Sequence, residues 1–239
     1  MRARSKLVSG TPVVRPPARV GRSSGKAAAV PRLPPAERRA QILAKASDFF
    51  AEYGLTAQTR ALAAACGVAQ RLLYRYFPSK AALLDDVYRE AIVSPFKAVW
   101  LVQLRDRSRP FEQRLLDFYQ NYYVTVLTRK WLRLFLYASL GEARMAPDYI
   151  SAIVFDLLET IVREAAHEQQ VELPTDPALL HEVGWTLHGA VSHLAIRQHL
   201  YNASLDVAEQ RILVLHIRGF LAGFASLAAQ ARDFEGTGR

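Results

Sequence analysis

From residue 35 onward, apolar positions recur at three- and four-residue steps, the spacing of one face of an α-helix. Ile42, Leu43, Ala46, Phe49, Phe50 and Tyr53 make the first such face, and Gly54 is placed to stop that helix. A short second helix is expected over Thr59–Cys66, with Leu62, Ala63 and Cys66 inward. Gly67 then suits a tight left-handed turn. A third helix is expected over 69–77, closed by Pro78, and Ser79 is suited to cap a helix that begins at Lys80. The pattern continues helically over 80–105, with a kink expected at Pro95, and over 111–128, 131–140, 149–169, 177–202 and 207–231. Breaks fall at 106–110, 144–147, 174–176 and 203–206. No segment alternates with a two-residue period and no internal repeat is present. The expected fold class is all-α: an arm over 1–34, a three-helix head over 35–90, and a larger helical body over 91–239.

Composition narrows the class. Of 239 residues, 51% are apolar, so a sizeable core is available and global disorder is excluded. The single cysteine excludes a disulfide framework and a Cys-based zinc site, and fits a reducing cytoplasm. No uninterrupted apolar run approaches the roughly 18 residues of a membrane span. The basic N-terminus lacks the apolar segment of a secretory signal.

The net charge of +9 is unevenly placed. Residues 1–34 hold eight Lys/Arg, no acid and five of the twelve prolines, the composition of a basic disordered arm. The remainder is close to neutral. A polyanion-binding N-terminal part and a neutral body is the first functional inference. Whether the arm contacts DNA or is a passive tail stays open at this point.

Residues 59–78 have the layout of a helix-turn-helix. Leu62, Ala63, Cys66, Val68, Leu73 and Phe77 form its inner face, and the third helix turns Gln70, Arg71, Leu72, Tyr74 and Arg75 outward. Arg and Gln can read base edges in the major groove, and an apolar side chain can meet a thymine methyl. Tyr and Lys suit phosphate oxygens.

The ordered block over 42–88, with Phe49 and Gly54 at a helix end, Leu62-Ala63, Gly67-Val68 and Leu73-Tyr74-x-Tyr76-Phe77-Pro78-Ser79-Lys80, resembles the N-terminal domain of TetR/AcrR-type transcriptional regulators. The resemblance implies a homodimeric, ligand-controlled DNA-binding protein whose C-terminal helices hold the effector pocket and the dimer interface. A repressor is the expected sense of regulation, with an activator left open. Tyr74, Tyr76 and Lys80 match the family's phosphate-contacting positions. Thr59, Arg60, Gln70, Arg71 and Leu72 match positions that face phosphate or base. Three positions depart from the family pattern. Ala69 stands where Ser or Thr is common, so the third helix lacks its usual side-chain cap. Arg71 and Leu72 stand where small residues are common, which should alter base preference. Gln58 replaces a common Thr or Ser.

In the body, Trp100, Tyr122, Tyr123, Phe135, Tyr137 and Trp185 are candidates to line an effector cavity, although buried aromatics at helical spacing mostly pack a core. Their density and the neutral charge of the body favour an apolar or aromatic effector. Four histidines lie on one expected helix, at 181, 188, 193 and 199, too far apart along its axis for one metal. They suit an interface or a pocket edge. Small residues on the last two helices, Gly184, Gly189 and Ala190 on one and Gly219, Ala222, Gly223 and Ser226 on the other, suit close helix packing across a dimer. No catalytic residue, metal ligand set or cofactor motif is recognised, and neither an enzyme nor a membrane protein is expected. An effector-independent DNA-binding protein is the competing reading, and a cavity in the body discriminates between the two.

Overall fold

The computed structural model describes residues 33–140 and 145–237, so the arm lies, apart from its last two residues, outside the described residues. Among the described residues the regular structure is helical throughout, without strands. Helix α1 (Pro35–Tyr53) buries Ile42, Leu43, Ala46, Phe50 and Ala51. Tyr53, expected on that face, is instead 67% exposed: it sits on the last turn, beyond the packed surface, with its ring against Phe49 at 4.8 Å. Gly54 ends the helix with φ +84°.

Helices α2 (Thr59–Cys66), α3 (Gln70–Tyr76) and α4 (Lys80–Val87) follow as expected. Gly67 (φ 69°) closes α2, its N–H bonding to Ala64 O while Val68 N bonds to Ala63 O. Ser79 Oγ caps α4 by accepting from Ala82 N at 3.1 Å.

The single kinked helix expected over 80–105 is not formed. Helix α4 passes into a π-helical turn, Tyr88–Val93, marked by a bond from Ser94 N to Arg89 O. Pro95, which lacks an N–H, terminates the run rather than bending it. The chain restarts as α5 (Val99–Leu104). Next come α6 (Phe111–Thr125), α7 (Arg129–Leu140) and α8 (Met145–Tyr149). Helix α8 continues through a second π turn, Ile150–Val154, into α9 (Phe155–Gln169). Of the break expected at 144–147, residue 144 lies outside the described residues. Pro147 is accommodated in the first turn of α8, where no intrahelical N–H bond is lost. Helix α10 (Pro177–His199) starts on Asp176, which accepts from Ala178 N at 2.8 Å, and α11 (Glu209–Thr237) runs past its expected end at 231.

Helices α6, α9, α10 and α11 pack into a bundle, with α5 against α6 and α9, while α7 packs on α1 and α10. The buried apolar cluster runs without interruption from α1 to α11, so residue 91 marks no gap in packing. A buried ion cluster ties the turn before α6 to α9. Glu164 accepts from Arg107 at 2.8 Å and from Arg114 at 3.0 Å, and Arg114 also donates to the main-chain oxygens of Leu104 and Arg109. Burial opposes ionisation of Glu164, but the hydrogen bonds and charges of the two guanidiniums outweigh it and hold the carboxyl below its ordinary range.

One expected interface glycine is a core residue. A Cβ on Gly184 would lie 2.8 Å from Leu158 Cβ, so this glycine serves the close approach of α10 to α9 within the chain. Gly189, Gly219 and Gly223 have nothing within 4 Å of that position. Gly184→Val should therefore destabilise the fold by about 1–3 kcal/mol through overpacking. Gly189→Ala should leave stability unchanged or raise it by up to about 1 kcal/mol through helix propensity. Chemical denaturation of the two variants checks both outcomes.

Candidate DNA-binding face and ligand cavity

The head builds its outer face from α2 and α3. Leu73 and Phe77, each 1% exposed, anchor α3 inward. A helical period then sends Gln70, Arg71, Tyr74 and Arg75 to solvent, with Arg60 of α2 exposed beside them. Leu72 and Tyr76 are half-buried, so they offer an edge rather than a whole side chain. Ala69 leaves α3 without a side-chain cap, as its methyl dictates. The same holds for Gln58 before α2.

A small polar network joins the two helices. Thr59 Oγ1 lies 3.1 Å from Tyr74 Oη and accepts from Gln70 Nε2 at 3.3 Å. Lys80 Nζ donates to Ala57 O at 2.9 Å. Thr59 therefore orients two of the outward side chains of α3, a role its position at the start of α2 does not reveal. Behind the face, Arg39 lies 4.8 Å over the Phe77 ring and pairs with Asp86 at 2.5 Å. Cys66 is buried, and desolvation keeps its thiol protonated despite Lys45 nearby, which fits packing rather than reactivity.

A cavity of about 140 Å³ lies in the body between α6, α7, the second π turn and α10. Of the aromatic candidates, Tyr122, Phe135 and Trp185 line it. The other three do not. Trp100 is buried behind the wall, edge-on to Phe118 and Tyr122 at 5.8 and 6.0 Å. Tyr123 faces the other way and donates to Gln198 Oε1 at 2.5 Å. Tyr137 leaves α7 toward the head, with its ring 3.7 Å from where a Gly54 Cβ would sit and its hydroxyl bonded by Arg133 at 3.0 Å. Helix rotation separates Tyr123 and Tyr137 from the lining residues of their own helices, whereas Trp100 stands on α5, which contributes nothing to the wall.

Sequence reasoning missed part of the wall. Trp131, Leu132 and Leu136 come from α7, Tyr149 from the end of α8, Ile150 and Val154 from the second π turn, and His188, Ser192 and Ile196 from α10. One signal was present: His188 interrupts an inward apolar face with Leu187, Val191 and Leu194. The other histidines go elsewhere. His181 stacks on Phe155 at 4.0 Å, His199 approaches the Tyr123 ring, and His193 is exposed.

The polar groups at the cavity are neutral. Burial pulls the His188 imidazole down to about 4, and its Nδ1 lies 3.3 Å from Tyr119 Oη. Burial likewise raises the phenols of Tyr122 and Tyr149 well above their ordinary range. Tyr149 Oη is buried and has no partner at normal hydrogen-bond geometry, its nearest polar interaction being with the Tyr122 hydroxyl, which can donate to it.

Comparison with known proteins agrees with this geometry. Residues 42–87 match the family profile described as bacterial regulatory proteins, tetR family. No curated protein matches the sequence significantly. Among solved structures, a TetR-like transcriptional regulator from Rhodococcus sp. RHA1 superposes with a TM-score of 0.60 at 20% identity, over 80% of this chain and 100% of that one. A structure assigned to the TetR-family regulators from Mesorhizobium loti MAFF303099 gives 0.57 at 14% identity, over 78% and 96%. A tetR-family transcriptional regulator from Streptomyces coelicolor gives 0.53 at 18%, over 83% and 90%. Identities this low speak to the fold, while the profile match speaks to the head. Residues 42–87 thus match the tetR-family profile over a helix-turn-helix, on a chain whose all-helical fold is shared by TetR-type transcriptional regulators.

Proposed function

We propose that this protein is a homodimeric repressor that binds a palindromic operator and is released by a small apolar or aromatic effector. It acts in the cytoplasm, by binding rather than catalysis. The observation that carries this reading is the combination of an outward α3 bearing Gln70, Arg71, Tyr74 and Arg75 with an apolar cavity in the helical body. Arg71, Gln70 and Leu72 are assigned to bases. Thr59, Arg60, Tyr74, Arg75, Tyr76 and Lys80 are assigned to phosphates. The cavity favours an effector-controlled protein over an effector-independent DNA-binding one.

Helix α11 supports the dimer. It is long and apolar enough to cross a membrane by length and composition, at a mean hydropathy of 1.8 over its most apolar window. Its inner side, Leu213, Ile217, Phe220 and Phe224, is buried within the chain. A second stripe, Leu215, Gly219, Ala222 and Ser226, is exposed at heptad-like spacing, and Leu215 is 67% exposed. Such a stripe suits a helix of a second copy. Gly189, Ala190 and Gly223 are assigned to the same interface, whereas Gly184 is not.

Control passes through α7. Trp131, a lining residue, donates from Nε1 to Ile92 O at 3.1 Å, in the π turn that continues α4. On its other side α7 is fastened to the end of α1 by Lys130–Asp48 at 2.6 Å, by Arg129–Glu52 at 3.2 Å and by Arg133 on Glu52 O at 2.7 Å. A ligand that displaces α7 moves both attachments of the head. Linkage makes the coupling reciprocal, typically about 1–3 kcal/mol.

Duplexes selected from a random library should show dyad symmetry in a footprint, with half-sites in successive major grooves about 34–36 Å apart or a near multiple. On a selected duplex, Lys80→Ala and Tyr74→Phe should weaken binding to all sequences alike, and Lys80→Ala should reduce the salt slope by about 1. Arg71→Ala should instead change base preference, by about 1–3 kcal/mol if its contact is bidentate. A footprint without symmetry overturns the operator reading.

Gly219→Leu tests the interface. Nothing in the chain lies within 4 Å of the new Cβ, so the monomer fold should be kept or slightly stabilised. Sedimentation should show monomers and operator affinity should fall. A variant that remains dimeric moves the interface elsewhere.

A further inference from the structure

The walls of the cavity specify more than an apolar occupant, and the ligand class they define rests on the effector reading of this protein. About 140 Å³ is close to the size of an engineered apolar cavity that takes up benzene, and below the roughly 300–1,000 Å³ of sites for drug-sized ligands. Leu127, Leu132, Leu136, Ile150, Val154 and Ile196 supply aliphatic wall, and no Lys, Arg, Asp or Glu lines it. An ionised ligand enclosed there would lose its hydration with no opposite charge to offset the cost.

The polar side chains of the wall are Tyr122, Tyr149, Trp185, His188 and Ser192. Of these, Tyr149 and His188 are buried and each has a donor that no acceptor takes at normal geometry. Tyr149 is 1% exposed and its hydroxyl has no partner at normal geometry; the Tyr122 hydroxyl beside it can donate to it, which leaves the Tyr149 proton without an acceptor. A buried hydroxyl left unpaired is rare in native structures and marks a place where a partner is missing. His188 supplies the second group. Tyr119 is fully buried, and its hydroxyl lies 3.3 Å from His188 Nδ1. A proton on Nδ1 would leave the phenolic hydrogen of Tyr119 without that acceptor. We assign Tyr119 as the donor to Nδ1, which places the proton of the neutral ring on Nε2. The wall thus presents only uncharged hydrogen-bonding groups, among them the Tyr149 O–H and the His188 N–H, and no Lys, Arg, Asp or Glu that would hold an anion or a cation.

We propose that the cavity binds an uncharged ligand of about one six-membered ring bearing a single carbonyl oxygen, with Tyr149 Oη and His188 Nε2 as its hydrogen-bond donors. The ring packs among the leucines, isoleucines and Trp131, and the carbonyl oxygen, with two lone pairs, takes the two donors.

Three compounds of nearly one shape separate the contributions: acetophenone, isopropylbenzene and benzoate. Calorimetric titration of the full chain at pH 7 should give saturable binding of acetophenone, about five- to tenfold weaker binding of isopropylbenzene, and no binding of benzoate. Tyr149→Phe keeps the ring and removes the unpartnered hydroxyl, so the fold should be retained by circular dichroism. In that variant acetophenone should fall toward the affinity of isopropylbenzene, which itself should not change. Binding of benzoate as tight as acetophenone, an unchanged preference in Tyr149→Phe, or no binding of either neutral compound each overturns the proposal. Release of a selected duplex is measured in parallel. Acetophenone that binds without releasing DNA leaves this site standing and removes the effector reading. A different compound that releases DNA while acetophenone does not bind removes this site and leaves the regulatory reading.

Discussion

Helix α7 is enclosed on both sides, and the arrangement of head and body depends on that enclosure. From Lys130 to Ala138 every residue is at least partly covered. One side carries Trp131, Leu132, Phe135 and Leu136 to the cavity. The opposite side carries Lys130, Arg133 and Tyr137 to α1 and Gly54. Arg133 is central to that second contact because its guanidinium donates to the main-chain oxygens of Ala51 and Glu52. Those carbonyls belong to the last turn of α1, where intrahelical N–H partners run out and a cation is also favoured by the helix dipole. A helix held in this way cannot shift toward or away from the cavity without moving the end of α1.

The two π turns belong to the same scheme. A π turn widens the helix by one residue and changes which carbonyls are free. The turn over Tyr88–Val93 presents Ile92 O to the Trp131 indole, and the turn over Ile150–Val154 presents Ile150 and Val154 to the cavity. Both irregularities therefore lie at the cavity side of α7, the first through Trp131 and the second through the wall they share. The Glu164 cluster acts elsewhere. Its two arginines fix the turn before α6 to α9, and in the buried pair Arg114–Glu164 removal of either partner would leave a charge poorly compensated.

The surface divides by chemistry in a parallel way. The face of α3 is polar and cationic, with Thr59 bridging Tyr74 and Gln70 so that the side chains are partly oriented before any contact with DNA. The free face of α11 is small and apolar. An exposed helix of that character is unfavourable in water unless something covers it. The homodimer proposed above would cover it with an identical stripe and, through two-fold symmetry, set two α3 helices toward one duplex.

Local pattern was enough for the head. Gly54 and Gly67 adopt positive φ where the sequence breaks its helical period, Ser79 caps α4, and Ala69 leaves α3 uncapped, because these features depend on residues a few positions apart. The all-helical class and most helix positions follow from the same short-range periodicity. What depends on rotation between distant helices was decided by tertiary structure alone. Tyr122 and Tyr123 are neighbours in sequence, yet one lines the cavity and the other bonds Gln198. Phe135 and Tyr137 lie two residues apart on α7 and face opposite partners. Gly184 looks identical in sequence to Gly219, but Leu158 fills the space above the first and nothing fills it above the second. The termination at Pro95, the π turns and the unpartnered hydroxyl of Tyr149 likewise needed the packed chain. Sequence spacing specifies which face of a helix a residue occupies, and only packing specifies what that face meets.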